Sequence, residues 1–344
     1  MPKIKAVPAV LAALLSACGS APGEQKGTEP VWVSNPYGAY NRAVYIAAVG
    51  YGPGRDTAEK SALTNLASIF GQSITSETKT GYSYSRALEA SGSLWSEKSD
   101  IAQAVKTSVA MDTLVGAEIK EAWKSPGGDY YALALLDKAK TSLIYAEMTE
   151  QNLRAIAELT NLGAEEKQSL LGFINYSRAA ALADANRVFA TVRNVISPGS
   201  AAGDSLADGN AHRAAAARIA EKIPIAVTVE NDRQNRIKGA LAGALGAAGF
   251  RTGGYDSRYV LKASLLLEEV SYLDNPYRWI RYTVDSALTD TVLGTVIFPY
   301  SVNGREGHQI ILEAENRALR SAETAIKDGY LGEMKSRLIR DTKN

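Results

Sequence analysis

Of 344 residues, one is cysteine, Cys18, and two are histidine, His212 and His308. A single thiol excludes an intrachain disulfide and any cysteine-based metal cluster. The two histidines form no H-x-x-x-H or H-E-x-x-H pattern, so a zinc site of that kind has no ligands. No G-x-S-x-G elbow, S-x-x-K motif or phosphate-binding G-x-x-x-x-G-K-[ST] loop stands in a context that would support it. Neither sign of charge is in excess, with 38 basic and 37 acidic residues. That balance argues against a nucleic-acid partner, and no acidic block points to calcium. Phenylalanine is scarce beside tyrosine, 5 against 17. No apolar run approaches the ~20 residues a membrane-spanning helix needs. With 46% hydrophobic and 22% charged residues the chain reads as globular, long enough for two domains with cores of their own.

What is present begins at the amino end. Lys3 and Lys5 precede an apolar stretch over residues 6–15, followed by Leu15-Ser16-Ala17-Cys18. About ten apolar residues are too few to span a bilayer and have the build of an export signal. Leu-Ser-Ala-Cys resembles the lipobox of bacterial lipoproteins. The resemblance implies cleavage between Ala17 and Cys18 and a diacylglyceryl group, with palmitate-type acyl chains, on the Cys18 thiol. The competing reading is an ordinary secretory signal followed by a chance cysteine. Several acyl chains would hold firmly to membrane lipid, since each buried CH2 contributes about 0.8 kcal/mol and one chain alone is marginal. Gly19 and Ser20 follow, without the Asp that marks inner-membrane retention in such lipoproteins, so the implied address is the outer membrane. The domains are expected to face the periplasm, with surface exposure as the alternative.

Residues 18–29 read as a polar tether. Residues 45–49 read as a buried strand running into Gly50, Gly52 and Gly54, and residues 56–72 as a helix capped by Asp56 with Glu59 completing the box. Ala58, Ala62, Leu66, Ile69 and Phe70 form its apolar stripe. The three glycines are spaced G-x-G-x-G with Pro53 inside, not the G-x-G-x-x-G of a dinucleotide site, and a structural turn is the simpler account. Residues 73–85 are expected as an exposed strand, and residues 87–105 are ambiguous. Residues 115–123 and 130–136 make a hairpin around Ser125-Pro126-Gly127-Gly128, with Glu121 interrupting the alternation.

Pro30-Val31-Trp32, Ala47-Ala48-Val49-Gly50-Tyr51-Gly52, the Ala-rich helix, Ala122-Trp123 and Asp129-Tyr130-Tyr131-Ala132-Leu133-Ala134 occur in this order. Together they resemble the Lpp-twenty lipoprotein family, and the N-terminal domain of the flagellar T-ring protein is similar. The resemblance covers residues 30–143 and implies no catalytic residue.

Residues 144–196 read as a helical hairpin broken near Asn161-Leu162-Gly163, and residues 197–218 as a linker rich in Gly, Ala and Ser. From residue 219 to 344 the pattern is strand, helix, three strands, helix. Gly239 and Gly243 are expected to let the first helix lie close to the sheet. This order, with Ala287-Leu288-Thr289-Asp290-Thr291, Gly294-Thr295-Val296-Ile297 and Gly304-Arg305-Glu306, resembles the small domain found in the TolB N-terminus, curli-secretion lipoproteins and lipoproteins that activate cell-wall synthases. The fold class is therefore α+β: two small α/β domains joined by a helical hairpin.

Two short stretches carry candidate function. Arg278, Trp279, Arg281 and Tyr282 interleave cations with aromatics, the composition of a protein-binding hot spot. Glu306 and His308, read as a glycine turn, are the remote candidates for general-base chemistry in an envelope hydrolase. The sequence implies no cofactor and no metal. The expected function is that of a non-enzymatic, lipid-anchored scaffold or adaptor whose partners are envelope proteins. Regulation of a cell-wall synthase, or binding of peptidoglycan, is the alternative, and self-association stays open.

Overall fold

The computed structural model describes residues 24–25, 28–77, 84–92, 114–201, 206–254, 256–272 and 276–340. Ala17, Cys18 and the signal-like stretch lie outside the described residues. The chain is α+β and divides into two compact units.

In the first unit, β2 (Tyr45–Gly52), β3 (Ala117–Lys124) and β4 (Tyr130–Asp137) form an antiparallel sheet. The tether adds β1 (Glu24–Gln25), parallel to β3, for a strand order β1-β3-β4-β2. Period-two alternation sorts the side chains into two faces. Ala48, Gly50, Ala122, Ala132 and Ala134 share one face, and their small size lets α3 (Arg55–Glu77) come close. A Cβ on Gly50 would stand 2.0 Å from the Ala62 backbone nitrogen. Gly50 and Gly52 therefore belong to the strand and serve helix–strand approach, not a positive-φ turn. Ala58, Ala62 and Leu66 are fully buried as expected, whereas Ile69 is exposed because it lies off the buried stripe. Asp56 sits within the first turn instead of capping it, and Glu59 pairs with Arg55 one turn back.

On the opposite face lie two single-turn helices, α1 (Val31–Ser34) and α2 (Pro36–Ala39), and Trp32 of α1 packs with Ala47, Trp123, Leu133 and Leu135. Glu121, which broke the alternation, follows a β-bulge after Ile119. The bulge swings its carboxylate toward these helices, where it accepts bonds from Trp32 Nε1 at 2.8 Å and from the Tyr40 hydroxyl. Burial and the adjoining carboxylate both push the Tyr40 hydroxyl's pKa upward.

The exposed strand expected over residues 73–85 is not found. Helix α3 continues to Glu77, residues 78–83 lie outside the described set, and α4 (Tyr84–Gly92) begins at Tyr84. Earlier in α3, Ser68 and Thr64 return their hydroxyls to the helix backbone, to the Thr64 and Lys60 carbonyls, each at 2.8 Å.

Helix α5 (Lys138–Thr160) and helix α6 (Leu170–Ile196) form the expected pair, with a 3-10 turn (Glu166–Gln168) in the connection. In the second unit α6 is rich in alanine, and Ala179, Leu182 and Ala183 pack on Ile156. A polar seam runs through this packing. Asn152 Nδ2 donates to Asn186 Oδ1 at 2.6 Å and to Ser91 Oγ of α4 at 2.9 Å, and Asn186 donates to the Thr149 carbonyl at 3.2 Å. Of the stretch expected as a linker, residues 209–218 belong to α7 (Gly209–Ala220), capped by the Asp208 carboxylate. Its alanines favour helix, and Ile219 gives it a buried anchor.

The second sheet comprises β5 (Pro224–Glu230), β6 (Arg251–Thr252), β7 (Tyr259–Val270), β8 (Arg278–Asp290) and β9 (Thr295–His308), in the order β6-β5-β7-β8-β9. β5 and β7 are parallel, and β7, β8 and β9 form an antiparallel meander. Helices α8 (Arg236–Ala247) and α9 (Ile311–Arg340) pack on one face, where Ile237, Leu241, Ala318, Ala322 and Ile326 meet Leu261, Val284 and Leu288. The close approach expected from Gly239 and Gly243 is absent: both face open space, and Ala240 and Ala244 fill the contact. Tyr330 of α9 meets Phe298 and Tyr300 edge-on at 5.4 and 5.0 Å, and those two rings lie tilted to each other at 6.1 Å. Burial pushes the Tyr300 hydroxyl up to about 12.

Candidate interaction surface

Parallel pairing with β5 spans only Tyr259–Ser264 of β7. Beyond it, Val270, Trp279 and Gly307 mark the far end of a three-stranded extension that, among the described residues, no fourth strand flanks on the β7 side. Six residues of strand make this extension about 20 Å long. Its alternation decides which candidate residues can meet a partner. Ile280, Tyr282 and Val284 turn toward α9 and are buried, while Trp279, Arg281 and Thr283 lie on the opposite face.

Tyr282 is therefore not a surface residue. Its ring lies on Gly304, its partner across the sheet, where a Cβ would fall 2.5 Å from the hydroxyl. Trp279 covers Gly307 in the same way on the other face, with 2.9 Å to a built Cβ. Each glycine gives an aromatic ring a place to lie.

On the outer face the exposed side chains converge. Tyr272 meets Trp279 edge-on at 5.7 Å, and Arg305 Nη1 donates to the Tyr272 hydroxyl at 2.6 Å. The Arg305 guanidinium also stands 5.7 Å from the Tyr272 ring centre. Arg281 is exposed between Glu268 and Arg305 in the register. Leu266 adds an apolar surface 51% exposed. Arg278, at the strand end, pairs with Glu269 and holds that carboxyl below its usual range. The Trp279 indole N–H is buried and meets no acceptor among the described residues, while the ring lies against Gly307. Sequence reading found Trp279 and Arg281 of this face; Arg278, opposite His308, lies on the α9 side of the sheet. It missed Tyr272 and Arg305, which only strand pairing brings beside them.

Glu306 and His308 lie within β9, not in a turn. Opposite Ile280 and Arg278, they face the α9 side of the sheet. Glu306 accepts a bond from Ser321 of α9 at 2.6 Å, and His308 Nδ1 accepts the Ile310 N–H at 3.1 Å, fixing the start of α9. Both contacts tie strand to helix. Among the described residues no group of three or more His, Cys, Asp or Glu could hold a metal ion.

A second feature lies where β7 begins and β8 ends. Asp290, 4% exposed at its side chain, accepts Arg258 Nε at 3.0 Å and Nη2 at 2.7 Å, and the backbone N–H groups of Val292 and Leu293 at 3.0 and 3.2 Å. Thr291 closes the clasp by donating its N–H and hydroxyl to the Arg258 carbonyl at 2.8 and 2.9 Å. The guanidinium and the two N–H groups hold the Asp290 carboxyl below the usual carboxylate range. The clasp walls a cavity of about 440 Å³ whose lining includes Leu170, Ile174, Tyr259, Leu293 and Ile297.

No family model matches the sequence, and no curated protein matches it. Among solved structures, the secreted protein HP1454 from Helicobacter pylori is similar at 12% identity, with a TM-score of 0.40 over 86% of this chain and 97% of that one. A minor lipoprotein from Acinetobacter baumannii is similar at 16% identity, with a TM-score of 0.25 over 35% of this chain and 92% of that one. At these scores the likenesses carry no argument about this chain. Among the described residues no helix is long and apolar enough to cross a membrane.

Proposed function

We propose that the chain is a lipid-anchored lipoprotein of a bacterial cell envelope that acts without catalysis, holding a partner protein against the outer face of the β7–β9 extension. The observation that carries the contact is the Tyr272–Trp279–Arg305 cluster, an aromatic and guanidinium surface on a sheet face its own helices leave uncovered. Tyr, Trp and Arg are the residues on which binding energy concentrates, the aromatics by burying large area and arginine through its several donors and its stacking on rings. The anchor rests on Leu15-Ser16-Ala17-Cys18, and the outer-membrane address on Gly19 and Ser20 after it. The ordered motifs that resemble those of Lpp-twenty lipoproteins support the same reading. Envelope proteins are the partner class. The lipid would raise their local concentration around the domains.

A crosslinked pull-down from membranes tests both halves. Cys18→Ala is expected to abolish incorporation of labelled fatty acid. Trp279→Ala with Arg305→Ala is expected to lower recovery of the same partner about thirty-fold, the effect of a 2 kcal/mol hot spot. Undiminished recovery with the double variant, its circular dichroism unchanged, would refute the surface. Continued lipid labelling of Cys18→Ala would refute the anchor.

A further inference from the structure

On the second unit, the 3-10 turn, α6, α7 and the turn into β5 surround a cavity of about 210 Å³. Lys167 comes from the 3-10 turn, Arg218 from the last turn of α7, and Lys222 from the segment before β5. No acid lines the cavity: the remaining walls are Gln168, Tyr176, Ala215 and Ile219. Each of the three cations is exposed, and among the described residues none is engaged in an ion pair or side-chain hydrogen bond. The neighbouring Arg213, by contrast, is paired with Asp184.

Cations at a helix C-terminus often need no further explanation, because the helix dipole places about −0.5 charge there. That accounts for part of Arg218 and Lys222 at the end of α7. It does not account for Lys167, which belongs to a different element, nor for three positive charges gathered around one concavity. The buried Ile219 forms an apolar floor, and the Tyr176 ring, 6.2 Å from His212, forms a wall. Three donors of fixed sign over a small recess with an aromatic side make a receptor for an oxyanion.

We propose that this cavity binds a phosphate oxyanion, as a phosphorylated small molecule or a phospholipid headgroup, with Lys167, Arg218 and Lys222 neutralising its charge. The phosphate oxygens take the two ammonium groups and the guanidinium, and the attached carbon skeleton lies along Tyr176 and Ile219. The site is separate from the Trp279 surface and does not depend on the adaptor reading.

Isothermal titration of the full-length protein in a neutral detergent, at low ionic strength, tests it with two probes. One is pyrophosphate, and the other is dihexanoyl phosphatidylglycerol below its micelle concentration. Lys167→Gln/Arg218→Gln/Lys222→Gln changes only exposed side chains and is expected to fold. It should weaken binding at least about tenfold, whereas Arg233→Gln/Lys238→Gln/Lys327→Gln, the same charge change elsewhere, should leave it within about twofold. Binding of pyrophosphate alone identifies a soluble phosphate as the ligand, and binding of the lipid alone identifies a headgroup. No binding of either probe, or equal weakening by the two triple variants, overturns the proposal.

Discussion

Replacing Asp290 by asparagine keeps the shape of the side chain and removes its charge. The amide oxygen can still accept the N–H groups of Val292 and Leu293, so the turn after β8 keeps its two bonds. The amide nitrogen then occupies the place of Oδ2, which accepts from Arg258 Nε and Nη2. Donor faces donor. The Arg258 side chain is 45% exposed and can turn to water, so the lost ion pair is discounted to about 1 kcal/mol. The amide nitrogen is left in a position that was 4% exposed, a buried donor without an acceptor, at about 1–2 kcal/mol. The sum is a destabilisation of roughly 2–3 kcal/mol, or roughly 4–12 °C in the melting temperature of a unit of this size. The pH dependence gives a second reading. A carboxyl held below its ordinary value stabilises the fold above the unfolded value of about 3.9 and loses that contribution as pH falls through the folded value. The gap between native and variant should be full at pH 7 and narrow progressively below about pH 4. Calorimetry at pH 7 and at pH 3 measures both. Equal melting temperatures at pH 7, or a gap that stays the same at pH 3, would refute the account of the clasp.

Two further substitutions probe the packing. Gly50→Val introduces carbon where a Cβ alone would already stand 2.0 Å from the backbone of α3. It should cost about 3 kcal/mol or more by overpacking, read as loss of the first unit's transition in urea, and a native-like transition would contradict the close approach. Tyr330→Phe removes a buried hydroxyl that has no partner among the described residues. It should raise stability by about 1 kcal/mol in the same assay, and a clear loss would mean that the hydroxyl is satisfied.

Much of the second unit was legible because its strands alternate cleanly. Its order of strand, helix, three strands and helix was read correctly from residue 219 onward. The polar and glycine-bearing end of β9 was not. Gly304 and Gly307 looked like a turn because glycine ordinarily marks one, whereas here each receives an aromatic ring from the neighbouring strand. Glu121 was visible as an irregularity, but its cause, a bulge that feeds Trp32 and Tyr40, depends on pairing across 81 and 89 residues. Of the interaction surface, the β8 half was readable as a local string. Tyr272 and Arg305 were not, since 33 residues separate them and only the sheet joins them. The Arg258–Asp290 clasp escaped for the same reason, at 32 residues.

The seam through Asn152, Asn186 and Ser91 has a consequence for the helices it joins. Alanine surfaces are smooth, and two such helices can slide by one turn, about 5.4 Å, while keeping nearly the same apolar contact. Displaced by that distance, Asn152 and Asn186 would each face hydrocarbon with their amides unmet. The shifted alignment would carry the desolvation of both. Stability lost by burying amides in an otherwise oily interface is thus returned as a single permitted alignment, as a lone asparagine does in a coiled coil. Replacing the pair by leucines would make the hairpin stickier and leave it without a zero mark.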